Sequence, residues 1–174
     1  DPNTMLGSKT VSEKISLINS CAKIIFNSQW SKNQFINQLP SSYKKSQKLI
    51  VILQSINKKK INFKNKQNLI SFVGKLNSAK GYDIFGKAII RILNKYSTWK
   101  ANVIGDEHRE RFNFIHKNLN ILGFQKHNQV LKNFEKSNIA VVCSRWNEPF
   151  GRTSLEASRR GCAGIISDRG GLPE

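Results

Sequence analysis

Two glutamates eight residues apart, Glu148 and Glu156, are the side chains whose types and spacing most clearly suggest chemistry. They are the ends of the stretch EPFGRTSLE, in which a proline and a glycine favour a tight turn. The apolar run 139–143 comes just before this stretch and predicts a buried parallel strand. Residues 155–160, which are followed by a glycine, predict a helix. The two carboxylates are therefore expected to straddle a strand-to-helix turn, with Glu148 on the loop and Glu156 in the first turns of the helix.

The start of this predicted helix is expected to attract anions. Its free N–H groups face a crevice, and both hydrogen bonding and the helix dipole favour negative charge there. The flanking carboxylates repel phosphate but accept hydrogen bonds from the hydroxyls of sugars. A ligand that carries a diphosphate between two sugars therefore fits the whole arrangement. The alternative is a capping box, in which Thr153 and Glu156 only hold the helix start. This alternative leaves Glu148, Phe150 and Gly151 unexplained.

A second constellation lies in the segment GKLNSAKG, residues 74–81, between a predicted strand at 69–73 and a helix predicted to begin at Asp83. Its glycine spacing matches neither the Walker A loop nor the dinucleotide-binding fingerprint. It does offer two ammonium groups, Lys75 and Lys80, and two flexible glycines at the start of a helix, which suits a diphosphate. The alternative is that these are ordinary exposed lysines of a basic protein.

The rest of the chain must position these loops, and its pattern alternates between strands and helices. A capping box at Thr10 and the pair Asn27-Ser28 start two helices in the first part of the chain. Strands are predicted at 22–26, 49–53, 69–73, 100–104, 119–122, 139–143 and 164–167. Further helices are predicted at 83–95, 107–114, 128–134 and 155–160, the third capped by Asn128, and residues 41–48 indicate a linker. This alternation predicts an α/β fold with a Rossmann-like, doubly wound parallel sheet, whose strand-to-helix loops meet at one carboxyl edge.

The stretch EPFGxxxxEA, with its two glutamates, resembles the Glu-x7-Glu signature of GT-B glycosyltransferases of the family 4 type. The stretch FVGKLxxxKG resembles the segment in which a basic residue and a lysine five positions later hold the donor diphosphate in that family. Lys75 stands where arginine is more usual, so the charge is kept but the bidentate fork is lost. Gly105 and the pair Gly123-Phe124 resemble the strand-end residues that border the family's nucleotide crevice.

This resemblance implies a retaining glycosyltransferase of the hexosyltransferase type, which moves a sugar from a nucleotide-diphosphate sugar to an acceptor hydroxyl. It implies no metal ion and no cofactor, because Lys75, Lys80 and helix N–H groups bear the diphosphate. These two lysines and Glu148 are the implied catalytic residues, and Glu156 is implied to hold the ribose. The implied donor-binding set is Gly74, Lys75, Lys80, Gly123, Phe124, Glu148, Phe150, Gly151, Arg152, Thr153 and Glu156. The implied acceptor is a sugar or a lipid-linked sugar, in the synthesis of cell-surface polysaccharide or lipopolysaccharide.

The resemblance also implies that the chain is a fragment from the middle of a whole enzyme. Residues 1–45 correspond to the end of the N-terminal, acceptor-binding domain plus a linker, and residues 1–9 resemble members that act on lipopolysaccharide or capsule. Residues 46–174 correspond to the donor-binding domain, which is incomplete at its C-terminus. Such a fragment is expected to be inactive on its own. Two alternative functions remain, a GT-B sugar-nucleotide epimerase and a basic nucleic-acid-binding domain.

The formal net charge of +18 raises the question of an anionic partner. Nucleic acid, an anionic membrane surface or substrate, and a drift in base composition would each explain it. The charges are scattered through the chain except for a cluster around Lys58–Lys60. No nucleic-acid partner is therefore expected, whereas a peripheral contact with an anionic membrane stays open.

The chain is expected in the cytoplasm, with the inner face of the membrane as a second location. Its three cysteines are odd in number and widely spaced, which is typical of thiols in a reducing compartment. No apolar run reaches the ~18 residues of a membrane helix, and the opening residues do not resemble a signal peptide. His108, His116 and His127, expected on a helix face, a helix end and a loop, show neither metal-ligand spacing nor a neighbouring nucleophile, so they are expected to be structural or exposed.

Overall fold

A computed structural model of the chain describes residues 10–57 and 60–174. These residues form two compact units. The first unit comprises the chain up to Ser55 together with residues 147–151 and 169–174, and the second comprises residues 56–146 and 152–168. The opening segment 1–9 and two lysines of the predicted cluster, Lys58 and Lys59, lie outside the described residues. The domain boundary at residue 45 stays a prediction.

The first unit is a small α/β assembly around one apolar cluster. Its elements are α1 (Val11–Ser20), β1 (Ile24–Phe26), α2 (Gln29–Ile36), α3 (Ser41–Lys44) and β2 (Leu49–Val51), and β1 and β2 pair in parallel. The capping box at Thr10 is confirmed, because its hydroxyl accepts from the Glu13 N–H and its own N–H donates to the Glu13 carboxylate. The predicted linker 41–48 instead begins with the short helix α3, which follows Pro40.

The second unit is built on a five-stranded, all-parallel sheet. Its elements are β3 (Gln67–Val73), α4 (Tyr82–Lys95), β4 (Lys100–Ile104), β5 (Leu119–Ile121), α5 (His127–Lys136), β6 (Ser137–Val142), α6 (Arg152–Ser158) and β7 (Ala163–Ile166). The strand order is β5-β4-β3-β6-β7, which confirms the predicted doubly wound parallel sheet. The chain moves outward from β3 in one direction and then returns to the other side of β3. The helices that follow β3 and β6 therefore lie on opposite faces of the sheet, and the carboxyl ends of these two strands are where a doubly wound sheet binds its ligand.

The two faces of this sheet are covered by helices with different apolar residues. Helix α4 presents Tyr82, Phe85, Ile89 and Leu93, at helical spacing, to the core that contains Ile70 and Phe72 of β3. On the other face, α5 and α6 contribute Val130, Phe134 and Ala157 to a core with Ile104 and Ala140. Buried polar groups then fix the strand register, because Asn133 Nδ2 donates to Ser71 Oγ at 2.7 Å and the Ser71 and Ser137 hydroxyls are 2.6 Å apart.

The predicted helix over Glu107–Phe114 is wrong, since residues 105–118 form an irregular segment. The carboxylates that would lie on its surface are used elsewhere: Glu107 accepts from Asn77 Nδ2 at 3.0 Å, and Glu110 accepts from the Ser78 N–H at 2.9 Å. Hydrogen bonds from the side chain and backbone of Arg109 and from Asn77 hold the pKa of the Glu107 carboxyl well below its usual range. The segment is therefore shaped by tertiary contacts rather than by its own helical pattern.

Aromatic packing also holds this irregular segment in place. The rings of Phe112 and Phe114 lie edge-on to the Tyr82 ring, with centroid distances of 5.9 and 5.6 Å. Phe114 occupies the space above Gly86 of α4, where a Cβ atom would overlap its ring. Burial among these rings raises the pKa of the Tyr82 hydroxyl.

The N-caps of two helices lie two residues before the predicted ones. Helix α4 begins at Tyr82, and its N-cap is Gly81 in the left-handed region rather than Asp83. The Asp83 carboxylate instead receives two hydrogen bonds from Arg145, at 2.6 and 2.7 Å, which join α4 to the loop after β6. Helix α5 begins at His127 with Lys126 as its N-cap, two residues before the predicted cap at Asn128.

Replacement of Arg145 with glutamine is expected to raise the pKa of the Asp83 carboxyl toward its ordinary value. The hydrogen bond from Arg145 is the largest cause of the lowered pKa. Because the folded pKa is depressed, the pair stabilises the protein at neutral pH, and this contribution is lost as the pH falls through the folded pKa. An NMR titration of the Asp83 carboxyl carbon measures the shift. Lys87→Gln is the control, and an unchanged Asp83 titration in Arg145→Gln would contradict the assignment.

Candidate functional site

The carboxyl ends of the parallel strands gather the predicted site residues of the second unit at one edge of the sheet. These residues follow β3 (Gly74, Lys75 and Lys80), follow β5 (Gly123 and Phe124) or lie in α6 after β6 (Arg152, Thr153 and Glu156). The remaining predicted site residues, Glu148, Phe150 and Gly151, belong to the first unit. The site is therefore described separately in each unit.

Three glycines that follow the strands, Gly74, Gly105 and Gly123, expose their backbone at the carboxyl edge of the sheet. The Gly74 N–H donates to the Ile104 carbonyl at 3.0 Å, and the Gly105 N–H donates to the Gly123 carbonyl at 2.9 Å. Gly105 has a φ of +139°, and a Cβ atom on it would overlap the Gly74 carbonyl oxygen. A residue with a side chain therefore does not fit at position 105. Because glycine has no side chain, a ligand is able to approach the backbone closely there.

The loop after β3 is held by Asn77 and Glu107, neither of which was predicted to belong to the site. The Asn77 side chain is buried, and its Oδ1 accepts from the Lys80 N–H at 3.0 Å while its Nδ2 donates to Glu107. Residues Ser78–Lys80 form a 3-10 turn, and Gly81 then leads into α4. Lys80 is thereby fixed at the start of a helix of 14 residues, whose N-terminal N–H groups favour anions.

The loops after β3 and β6 are joined directly at the switch point. The Ala79 carbonyl accepts from the N–H groups of Arg145 and Trp146, at 2.9 and 3.0 Å, and from the Ser144 hydroxyl at 3.2 Å. A Cβ atom on Gly81 would overlap the Cys143 carbonyl oxygen. This close approach makes the two loops one structural unit at the carboxyl edge.

Glu156 is a buried carboxylate in the middle of α6. Its Oε1 accepts from Arg152 Nε at 3.0 Å and lies 3.1 Å from His127 Nε2. The glutamate side chain is 10% exposed, whereas those of Arg152 and His127 are 69% and 57% exposed. Because α6 begins at Arg152, Thr153 lies inside the helix and is not its N-cap, so the capping-box alternative is wrong.

His127 was expected on a loop, as a structural or exposed residue, and not as a partner of Glu156. It is the first residue of α5, which crosses behind the sheet from β5 to β6. The histidine and the glutamate meet only because α5 and α6 pack against each other on the same face of the sheet. Their separation of 29 residues follows no helical or strand period, so no signal in the sequence alone identifies the pair.

In the first unit, the segment from Glu148 to Gly151 is held through its backbone. The Glu148 carbonyl accepts from the Gly171 N–H at 2.7 Å, and the Pro149 carbonyl accepts from the hydroxyls of Ser28 and Ser31. The Gly171 backbone is packed so tightly that a Cβ atom would lie 2.5 Å from the Pro149 carbonyl oxygen. The loop conformation around Glu148 is thus set by the start of α2 and by residues 170–171.

An apolar pocket in the second unit does not fit a charged ligand. This pocket, of about 510 Å³, lies against α4, and its lining is apolar and aromatic and includes Ile84, Tyr96, Trp99 and Ile165. Within residues 10–57 and 60–174, no three His, Cys, Asp or Glu side chains are grouped so that they could hold a metal ion. Among the same residues, every helix is too short or too polar to cross a bilayer.

Comparison with known sequences identifies relatives among glycosyltransferases. The family model described as "Glycosyl transferases group 1" matches residues 54–174. Spore coat protein SA of Bacillus subtilis strain 168 is 30% identical over 122 residues, which cover 62% of this chain and 32% of that protein. An uncharacterized glycosyltransferase of Methanocaldococcus jannaschii, MJ1607, is 28% identical over 127 residues and is likewise covered to 32%. The chain thus spans about a third of the length of these curated relatives.

Solved structures agree with the predicted GT-B fold. Anabaena Alr3699/HepE, crystallised with UDP and glucose, matches with a TM-score of 0.70 at 17% identity, over 94% of this chain and 50% of its own. The C-terminal domain of a glycosyl transferase group 1 family protein (LpcC) from Francisella tularensis is 29% identical, with a TM-score of 0.55, over 61% of this chain and 60% of its own. These matches confirm the fold that the alternation of strands and helices predicted.

Proposed function

Since the chain belongs to the glycosyl transferases group 1 family, we propose that it carries the donor site of a retaining, family 4-type glycosyltransferase. The reaction moves a sugar from a nucleotide-diphosphate sugar to an acceptor hydroxyl. The observation that carries this proposal is the buried carboxylate of Glu156 in the helix that follows β6, at the same edge of the sheet as the loop with Lys75 and Lys80. HepE, whose fold is similar, has also been crystallised in complex with UDP-glucose.

The loop after β3 is proposed to hold the diphosphate. Lys80 is fixed at the start of α4 by Asn77, and Lys75 is exposed on the same loop. Two ammonium groups and the positive end of a 14-residue helix supply charge that a metal ion would otherwise provide. When the bond between the sugar and the diphosphate breaks, negative charge grows on the leaving diphosphate, and these groups stabilise it. A lysine in place of arginine at position 75 holds phosphate as a point charge, without a bidentate fork.

Glu156 is proposed to accept hydrogen bonds from the two hydroxyls of the ribose. Arg152 and His127 both contact its Oε1, so the carboxylate is held in one orientation, and Oε2 is the oxygen that we assign to the ligand. The Phe124 ring is 75% exposed beside Gly123 and offers an apolar surface to the nucleobase. In this arrangement Glu156 selects for a ribose. Selection among nucleobases then depends on contacts with the backbone at the strand ends.

Glu148 and the backbone of Phe150 and Gly151 are proposed to hold the hydroxyls of the transferred sugar. The backbone of the loop that carries them is fixed in the first unit through its carbonyl groups. The acceptor is proposed to be a sugar or lipid-linked sugar in cell-surface polysaccharide or lipopolysaccharide synthesis. The proposed location is the cytoplasm, at the inner face of the membrane.

The binding of UDP, GDP and ADP, and of one sugar conjugate of each, tests this proposal at physiological salt by titration calorimetry. One nucleotide diphosphate is expected to bind in preference to the other two. The double change Lys75→Gln/Lys80→Gln is expected to weaken that binding about tenfold or more, because charge-assisted hydrogen bonds to phosphate are lost. Binding of the same nucleoside without phosphate is expected to be unaffected.

The matched control removes the same charge from exposed lysines elsewhere, with Lys87→Gln/Lys117→Gln. It is expected to bind nucleotide like the unchanged protein. Duplex DNA is the second control. Binding of DNA with a steep dependence on salt, together with no preference among the nucleotides, would mean that net charge and not the carboxyl edge is responsible.

A further inference from the structure

We propose that the amino edge of the five-stranded sheet carries a second anion site, built from Arg159, Arg160 and the lysines around them, which docks on an anionic phospholipid surface. This edge lies at the opposite ends of the strands from the donor-binding loops. It is formed by the residues that lead into β3, by the last turns of α5 and by the turn between α6 and β7. The site is independent of the reaction proposed for the carboxyl edge.

Two adjoining pockets define this second site. The smaller one, about 210 Å³, is lined by Lys60, Arg159 and Arg160. The larger groove, about 590 Å³, is lined by Lys64, Lys66, Lys132 and Lys136, and both pockets share Asn65 and Glu135. Among the described lining residues, every charged side chain apart from Glu135 is basic. A concave surface of one sign concentrates counter-ions, and here it concentrates anions.

Two arginines supply guanidinium groups to the smaller pocket. The Nε atoms of Arg159 and Arg160 are buried, and no described residue accepts a hydrogen bond from either. The carboxylate oxygen nearest to Arg160 Nε is Glu135 Oε1 at 3.7 Å, beyond hydrogen-bond distance. Buried N–H groups are normally paired, and phosphate oxygens are the acceptors that suit guanidinium groups best.

The lysines divide into a structural one and a solvent-facing group. Lys66 Nζ donates to the carbonyl groups of Phe134 and Ser137, at 2.9 and 2.6 Å, so it caps the end of α5. Lys132 and Lys136 are exposed and four residues apart on α5, where like charges oppose each other. The helix dipole explains cations in the last turns of α5, but it does not explain Lys64, which lies outside any α-helix.

Phe63 is the reason to prefer a lipid surface over a nucleic acid. Its side chain is 67% exposed and begins the 3-10 turn Phe63–Asn65, directly before Lys64. An exposed aromatic ring beside lysines suits the headgroup region of a bilayer, where the ring enters the acyl boundary and the lysines meet phosphate. A site for single-stranded nucleic acid would instead have several aromatic rings along a basic groove, on which successive bases stack.

Cosedimentation with lipid vesicles tests the proposal on the complete chain. The protein is expected to bind vesicles of phosphatidylcholine mixed with phosphatidylglycerol, and not vesicles of phosphatidylcholine alone. Lys132→Gln/Lys136→Gln is expected to lower the affinity by about fivefold for each lysine. Phe63→Ser is expected to lower it as well, although the charge is unchanged. Lys132 and Lys136 are exposed and the Phe63 side chain is mostly exposed, so these variants are expected to fold.

The matched control is Lys87→Gln/Arg91→Gln, which removes the same charge from the exposed side of α4. It is expected to bind vesicles almost as well as the unchanged protein. An equal loss of binding in this control would overturn the proposal, because net charge alone would then account for the interaction. Complete competition by inorganic phosphate, or by duplex DNA with no contribution from Phe63, would overturn it too. Nucleotide binding is expected to be the same in all of these variants.

Discussion

Glu156→Ala is expected to weaken binding of the preferred nucleotide about 100-fold, as measured by titration calorimetry. A buried carboxylate that accepts from two ribose hydroxyls forms charge-assisted hydrogen bonds, and their loss is worth about 2–3 kcal/mol. Arg152 and His127, its two partners, are largely exposed, so water replaces the lost contacts and the fold is expected to tolerate the change. The effect should therefore fall on the ligand rather than on stability.

Two further variants show whether the lost affinity comes from the missing hydrogen bonds of Glu156 or from the loss of a negative charge. Glu156→Gln keeps the size and one acceptor oxygen, so it is expected to lose much less affinity than alanine. Glu135→Ala removes a carboxylate at the opposite edge of the sheet and is expected to leave nucleotide binding unchanged. If Glu156→Ala binds the nucleotide normally while remaining folded, the ribose is not held by this residue, and the proposed site is wrong.

Gly81→Ala is expected to destabilise the second unit by about 3 kcal/mol. Gly81 has a φ of +73°, a conformation that costs an alanine about 1 kcal/mol. The added Cβ would also overlap the Cys143 carbonyl oxygen, and forced packing of this kind costs typically about 1–3 kcal/mol more. Denaturant unfolding, followed by hydrogen exchange at amides of β3 and β6, measures the loss in this unit.

Gly123→Ala is the matched control for this prediction. Gly123 has a φ of +64°, close to that of Gly81, but no described atom lies within 4 Å of its would-be Cβ. Its cost is therefore expected to be the conformational term alone, about 1 kcal/mol. Equal losses in Gly81→Ala and Gly123→Ala would show that the loops after β3 and β6 move apart without cost, which would contradict their tight junction.

The sheet and the loops at its carboxyl edge could be predicted because their signals are local. Buried parallel strands appear as apolar runs, and α4 repeats its apolar residues at helical spacing. The topology then follows from right-handed crossovers, which send every strand-to-helix loop to one edge. For this reason the positions of Lys75, Lys80 and Glu156 at that edge could be expected from the sequence.

The contacts that shape the site could not be predicted because they join distant parts of the chain. Glu107 and Glu110 lie in a segment with a helical pattern, but their carboxylates are committed to the loop after β3. His127 meets Glu156 across two helices. Local preference is a weak guide wherever such tertiary contacts supply the larger energy.

The division of the chain into two units could not be predicted from local sequence patterns either. Residues 147–151 follow β6 of the second unit, and sequence order suggests that they belong to it. Their carbonyl groups are instead bonded to the start of α2 and to residue 171 in the first unit. Polar backbone contacts of this type leave no periodic pattern in the sequence.

The discontinuous first unit has a consequence for how the protein folds as it leaves the ribosome. The Ser28 hydroxyl bonds to a carbonyl 121 residues later, and the Gln29 N–H bonds to the Glu174 carboxylate 145 residues later. The strands of the second unit, in contrast, are all complete once Ile166 has been synthesised. Contacts of high sequence separation form late. The helices and strands between Val11 and Val51 are therefore expected to reach their final structure only after residues 147–174 have been synthesised.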